Sequence, residues 1–332
     1  MGIAVVLYLV IPLLCMLGIK RREPQGNRLE KDATLAMRGV GMLFIMYTHL
    51  VKGHICTATF FFYVSGIIGV AICFLVSGYG LHAQYVGKRG YLEHFWGGKL
   101  LRLLVPFVLS CLVYLAYSWL AGKELILSET LRSFLTIRFP KTTLWYLKIQ
   151  LLLYLLFYLA YRFLPRNSWR IAGVFVAVFV SIAVMKWAGF KSFWYNTCLF
   201  FPLGLLLAEK QEHILPFARK NKVAICAGAV FVFLYLVIYF FGRLNLDWLI
   251  DNIYMLCFCL ILLWGVQKFA GFRLLEQFGK YSIEVYLLHI AVGNFDSSLA
   301  INYLLEPFLV LALSIPVHEA SRRITGACLK RT

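Results

Sequence analysis

The stretch CTATFFFYVSGIIGVAICFLVSGYGL, residues 56–81, runs on without one Asp, Glu, Lys, Arg or His. A helix needs roughly 20 apolar residues to cross the hydrocarbon core of a bilayer, and this stretch exceeds that length. The rest of the 332-residue chain has the same character. It is 61% hydrophobic and 14% charged, with a mean hydropathy of +0.79, whereas a soluble domain carries roughly 45–50% apolar and 25% charged residues. These figures exclude a soluble globular protein, a disordered chain and a collagen- or disulfide-type scaffold. The aromatic share of 17% suits lipid-facing surfaces and interfacial belts. The fold expected is all-α, a polytopic membrane bundle.

Hydropathy marks eleven candidate spans: 1–19, 35–51, 56–81, 100–121, 143–164, 171–189, 193–208, 223–241, 249–267, 281–295 and 299–317. The segment 281–295 has the weakest signal, being short and carrying Glu284 and His289. No room is left for a soluble domain. The longest polar loop between spans, 122–142, has the length of a short re-entrant or interfacial element. The first apolar run carries no charge before it, and Lys20, Arg21 and Arg22 follow it. A secretory signal has the opposite order, so residues 1–34 read as a retained anchor with a basic cytoplasmic linker and 35–332 as the main membrane domain.

The formal net charge is +18. Starting with the N-terminus outside, 24 of the 33 Lys and Arg residues fall in the segments 20–38, 82–102, 162–170, 209–222, 268–280 and 318–332, all on one side. Cytoplasmic loops collect cations, so the C-terminus is expected inside, and the bilayer accounts for the basic charge without a nucleic-acid partner. The nine Cys residues are scattered, mostly in apolar spans, with no CxxC or Cys/His grouping of zinc-like spacing. No phosphate loop of the GxxxxGK[ST] or GxGxxG type occurs, and no inverted repeat of the transporter kind is visible. A bound metal or resident cofactor is therefore not expected.

Ionisable residues inside spans are costly and mark function or pairing. In AMRGVGMLFIMYTHL, residues 36–50, Arg38 and His49 stand eleven positions apart. At 100° per residue the two lie only about 20° out of line, separated by a rise of about 16 Å. Both therefore face one polar cavity, Arg38 near the inner interface and His49 deep towards the outer half. Taken singly, Arg38 reads equally as a snorkelling cation and His49 as an interhelical hydrogen bond. Lys99 and Arg102 share a face at the inner start of WGGKLLRLLVP, where ordinary flanking charge is the plainer reading. Ser77 and Tyr79 in VSGYG offer hydroxyls where glycines also permit close helix packing. In FGKYSIEVYLLHI, Ser282 and His289 lie about two turns apart on one face. Trp145 and Tyr146 follow the long loop, where an aromatic belt is the plainer reading. Glu319 has Arg322 and Arg323 as ready partners.

The R-x10-H element of Arg38 and His49 and the later pair Lys99-x-x-Arg102 come in a set order with GVAICFLVSGYGL, TLWYLKIQLLLYLLF, FFPLGLLLAEK, FGKYSIEVYLLHI and Glu319. In this the sequence resembles the acyltransferase 3 family over roughly residues 30–323. That family comprises integral-membrane acyltransferases that O-acetylate bacterial cell-envelope glycans. Two features differ from its usual pattern. Leu35 stands where members often carry an acid three residues before the motif Arg, the nearest acid being Asp32. The span 1–19 is additional to a ten-span core. No SGNH-type hydrolase domain follows the last span, so that any onward transfer is expected to fall to a separate extracytoplasmic or glycan-assembly protein.

The resemblance implies a multi-pass enzyme of the bacterial inner membrane that uses cytoplasmic acyl-CoA as co-substrate. Arg38, Lys99 and Arg102 would meet the donor phosphates through charge-assisted hydrogen bonds. His49 would act as general base or transient acyl carrier. The acceptor would be a hydroxyl of a lipid-linked or nascent envelope glycan, with Ser77, Tyr79, Trp145, Tyr146, Ser282 and His289 as cavity or acceptor residues. The acyl group expected is acetyl. The competing reading is a multi-pass transporter of a small anionic or amino-acid-like substrate using the same Arg/His-lined cavity. A structural subunit of glycan machinery is a third, in which Arg38 and His49 would not matter.

Overall fold

The computed structural model describes residues 2–23, 28–53, 55–57, 59–120, 138–139, 142–241, 248–292 and 301–329. These residues form a helical bundle. The helices are α1 Gly2–Met16, α2 Lys31–Leu50, α3 Phe60–Gly87, α4 Phe95–Leu120, α5 Trp145–Phe163, α6 Asn167–Trp187 and α7 Phe200–Glu209. They continue with α8 Gln211–Lys220, α9 Lys222–Phe240, α10 Trp248–Lys268, α11 Arg273–Lys280, α12 Ser282–Val292 and α13 Asn302–Leu329. Two short antiparallel pairs join β1 Lys20–Arg21 to β4 Phe269–Ala270 and β2 Arg138–Phe139 to β3 Thr142–Thr143. Most of the loop 122–142 lies outside the described residues.

Six helices among these are long and apolar enough to cross a membrane: α3, α4, α6, α9, α10 and α13. The sequence places further spans at α1, α2, α5, α7 and α12, and the structure distinguishes two kinds among them. α2 and α5, with 20 and 19 residues, are as long as a span at about 1.5 Å per residue. They fall short in hydropathy because they carry Lys31, Asp32 and Arg38, or Lys148 and Arg162. α2 is wrapped by other helices and buries eleven of its residues, so its surface need not be apolar all round. At the other extreme, α9 buries only Val232 and Tyr235, as a lipid-facing helix does.

Of the others, α1 and α7 are shorter than the sequence pattern predicts, and α12 is described only as far as Val292. α7 has ten residues and the described part of α12 has eleven, about 15–17 Å each against a hydrocarbon core of about 30 Å. The predicted span 193–208 becomes a helix only from Phe200. A 3-10 turn at Ser192–Trp194 and irregular backbone precede it. Irregular backbone at membrane depth is tolerated where protein surrounds it, and Thr197, Cys198, Phe200 and Phe201 are all buried. Hydropathy registers the apolar content of such a segment and not where its helix begins.

Close backbone approach holds the centre together. A Cβ on Gly41 would lie 2.8 Å from the Gly69 carbonyl oxygen, and one on Gly69 2.5 Å from that of Gly41, which locks α2 against α3. Gly78 and Gly204 do the same for α3 and α7. Small residues are the usual means of bringing helices together in lipid.

One end of the bundle gathers the segments that the charge pattern predicts to be cytoplasmic. Arg22 pairs with Glu30 and, at 2.7 Å, with Asp32, while its Nε donates to the Val266 carbonyl at 3.1 Å. Burial opposes the charge on Arg22, but the hydrogen bonds and charges of Asp32 and Glu30 outweigh it and raise its pKa. Asp32, the nearest acid to the motif, thus serves Arg22. At the same end the Tyr79 hydroxyl donates to Gln211 at 2.9 Å, and His82 bridges Glu209 at 2.9 Å and the Tyr161 hydroxyl at 2.6 Å. Glu319 accepts from Arg322 at 3.0 Å, the plain ion-pair reading of that residue.

Candidate active site

Four helices each contribute residues one turn apart to a single cavity. α2 supplies Arg38 and Met42, and α3 supplies Cys73 and Ser77. Tyr146, Gln150 and Tyr154 come from α5, and Ser282 and Tyr286 from α12. Leu103 of α4 closes one side. Spacing of i, i+4 keeps each set on one helix face, so the cavity is where the polar stripes of several helices meet. It encloses about 80 Å³, well below the roughly 300–1,000 Å³ of a site that takes a whole small molecule, so it admits only part of a ligand.

Its polar groups are organised. The Gln150 amide donates to Ser77 Oγ at 3.1 Å, and Gln150 Oε1 accepts from the Tyr146 hydroxyl at 3.4 Å. Tyr146 stacks on Phe74 with ring centroids 5.1 Å apart and planes 17° off parallel. Such a ring cannot turn freely, and it fixes one wall. Lys99 approaches from α4, its Nζ 5.9 Å from the Tyr154 ring centre and 5.8 Å from that of Tyr91. Arg102, one turn further and next to the lining Leu103, is exposed. Arg38, Lys99 and Arg102 therefore supply three cations at or beside one cavity. Among the described residues no carboxylate lines it, which leaves that positive field uncompensated and suited to an anionic ligand.

Although its helix face predicts that His49 shares the cavity with Arg38, His49 stands apart from the lining. It is exposed, in the last turn of α2, and is linked to the cavity by a run of rings. Tyr146 meets Tyr286 at 5.0 Å, Tyr286 meets His289 at 5.6 Å, and His289 meets His49 at 5.3 Å between centroids. His289 is buried. The R-x10-H spacing thus marks two ends of one path, with Arg38 in the cavity wall and His49 beyond the aromatic run.

The structure brings Arg38, Ser77, Tyr146 and Ser282 into one lining, with Lys99, Arg102, His49 and His289 around it. It places two expected residues elsewhere. Tyr79 turns to the linker, hydrogen-bonding the Leu29 backbone and Gln211. Trp145 packs on Phe193 and Trp194 at 5.5 and 6.5 Å, outside the lining. Glu284 is buried and faces His318 at 3.1 Å. Sequence reasoning missed Gln150, Tyr154 and Tyr286. The signal was present in the i, i+4, i+8 series Tyr146, Gln150, Tyr154 and in the i, i+4 step from Ser282 to Tyr286. Among the described residues no group of three or more His, Cys, Asp and Glu has the geometry of a metal site.

Comparison with known proteins bears on this site. No curated protein matches the chain, and no solved structure does. A family model described as an acyltransferase domain matches residues 36–317, a span that contains Arg38, His49, the basic pair and every residue of the cavity lining. On that match over most of its length, the chain belongs to the acyltransferase 3 family.

Proposed function

We propose that this membrane acyltransferase moves an acyl group, acetyl by default, from cytoplasmic acyl-CoA to a hydroxyl of a carbohydrate of the bacterial cell envelope. The observation that carries the reading is the cavity itself. Three cations stand at or beside it with no lining carboxylate among the described residues, and a run of rings leads from it to the histidine of the R-x10-H element. The donor's phosphates bind Arg38, Lys99 and Arg102 by charge-assisted hydrogen bonds. The pantetheine arm lies along the Tyr146 and Tyr286 wall and presents its thioester towards His49.

In direct transfer, His49 takes the proton of the acceptor hydroxyl as its oxygen attacks the thioester carbonyl. The carbon–sulfur bond breaks, and CoA leaves with its sulfur reprotonated. In the carrier route the His49 imidazole attacks the thioester carbonyl first, the carbon–sulfur bond breaks and CoA leaves with the imidazole proton, and the hydroxyl then takes the acyl group and returns its proton to the imidazole. A neutral imidazole suits either role. The acceptor, a lipid-linked or nascent glycan, approaches from the membrane or the outer side, and any onward transfer uses a separate extracytoplasmic protein.

Mass spectrometry of envelope glycans from cells with and without the gene tests this reading. Loss of an O-acyl group from one glycan on deletion is expected, with restoration by the wild-type gene and not by an H49A copy. An unchanged set of O-acyl groups would overturn the assignment.

A further inference from the structure

His289 differs from His49 in its accessibility and in its backbone partner. Its side chain is only 3% exposed. Its Nδ1 lies 3.2 Å from the Val285 carbonyl oxygen. A carbonyl only accepts, so Nδ1 carries the proton and Nε2 presents a lone pair. That Nε2 is buried and has no hydrogen-bond partner among the described residues. A buried acceptor left unmade costs about 1–3 kcal/mol, so such an atom calls for a donor. His49 is the neighbouring ring with an N–H to give. It is exposed, and no hydrogen bond restrains it among the described residues. The two ring centroids are 5.3 Å apart and tilted by 50°. With both rings turned nitrogen to nitrogen, that separation leaves about 3 Å between the facing atoms, which is hydrogen-bond distance.

We infer that His289 is a positioning residue for His49, its Nε2 lone pair accepting an N–H from the His49 ring. The inference rests on the reading of His49 as the reacting imidazole. The backbone carbonyl of Val285 fixes the tautomer of His289, and His289 in turn fixes that of His49. One nitrogen of His49 is then held protonated and turned inward, and the other keeps its lone pair free for the acceptor hydroxyl or the acyl group. This is the general arrangement in which a base is oriented by a third group, here with a neutral imidazole in place of a carboxylate. His289 gains and loses no proton during turnover. A centroid separation of 5.3 Å is one that a rotation of the exposed His49 ring can close to a hydrogen bond.

The test combines ring 15N chemical shifts of His49, in protein labelled at histidine and reconstituted in lipid, with acyl-transfer kinetics. In the wild type, His49 is expected to show one protonated and one lone-pair nitrogen. His289→Phe, of similar bulk but without the lone pair, should give averaged nitrogens for His49. It should also lower kcat 10- to 100-fold with the KM for acyl-CoA unchanged. His289→Gln, which returns an acceptor oxygen near the place of Nε2, should restore the fixed tautomer and most of kcat. If His289→Phe does not fold, His289→Leu is measured in its place. A His49 tautomer that is averaged in the wild type, or indifferent to residue 289, overturns the inference. A fixed tautomer that depends on residue 289 in a protein with no acyl-transfer activity upholds the pairing and removes the proposed function instead.

Discussion

Substituting Gly69 by Ala places a methyl group in the tightest part of the α2–α3 contact. Its Cβ would stand 2.5 Å from the Gly41 carbonyl oxygen, 3.0 Å from Ile45 Cγ1 and 3.2 Å from the Ile45 nitrogen. Ordinary contact begins near 3.4 Å, so the carbonyl alone requires the backbones to part by about 0.9 Å. Neither neighbouring backbone atom can swing aside as a side-chain tip can. Overpacking of this kind costs about 1–3 kcal/mol, against a gain of up to about 1 kcal/mol from replacing Gly in a helix. The larger effect is on geometry. Gly41 lies between Arg38 and His49 on α2, and Cys73, one turn beyond Gly69 on α3, lines the cavity. A displacement near 1 Å at a reacting site can lower a rate about 100-fold. G69A is therefore expected to reduce acyl transfer by one to two orders of magnitude, with a modest loss of thermal stability in detergent. G41A, whose closest contact is 2.8 Å, should do the same to a smaller degree. Gly265, with nothing within 4 Å of an added Cβ, supplies the control, and G265A should match the wild type. Wild-type turnover in G69A would refute the idea that this close approach sets the site.

Other expectations follow from the same geometry. H49A should lose transfer while retaining acyl-CoA binding, measured by calorimetry on protein in lipid; full activity would remove His49 from the reaction. R38A and R102A should raise the acyl-CoA KM at least tenfold, and the KM of the wild type should rise with salt because the contacts are ionic; unchanged donor affinity would remove both residues from the donor site. Q150L should uncouple Tyr146 from Ser77 and lower kcat several-fold at unchanged protein yield, checked by steady-state kinetics. R22A removes the links to Glu30, Asp32 and the Val266 carbonyl, and should lower the apparent melting temperature with little change in either KM.

The membrane bundle was legible because lipid demands long apolar helices, and residues 56–81 state that demand without ambiguity. Several of the segments that the charge pattern groups together are joined by Arg22, Tyr79, His82 and Glu209. Arg38, Ser77, Tyr146 and Ser282 could be found because each is a polar group where apolar ones are expected. Tyr154 and Tyr286 were missed despite their i, i+4 spacing from Gln150 and Ser282, since tyrosine is common in membrane helices and becomes a cavity wall only by the placement of its neighbours. Tyr79 misled because a hydroxyl in an apolar run looks like a site residue, whereas its partners, Leu29 and Gln211, lie 50 and 132 residues away. The length of α7 was hidden because the irregular backbone before Phe200 is as apolar as the helix itself.

The clamp around Arg22 also bears on the order in which the protein is made. Glu30 and Asp32 lie 8 and 10 residues from Arg22, whereas the Val266 carbonyl lies 244 residues away. At roughly 5–20 residues per second of synthesis, the ribosome delivers that last partner on the order of 10–50 s after Arg22. During that interval the two nearby carboxylates hold Arg22 without it, and the strand pairing of Lys20–Arg21 with Phe269–Ala270 has yet to form. The N-terminal segment is thus made first and fastened late, so nascent chains whose residue 266 is still inside the ribosome should carry it loose, open to protease at its basic end, and chains from which residue 270 has emerged should protect it.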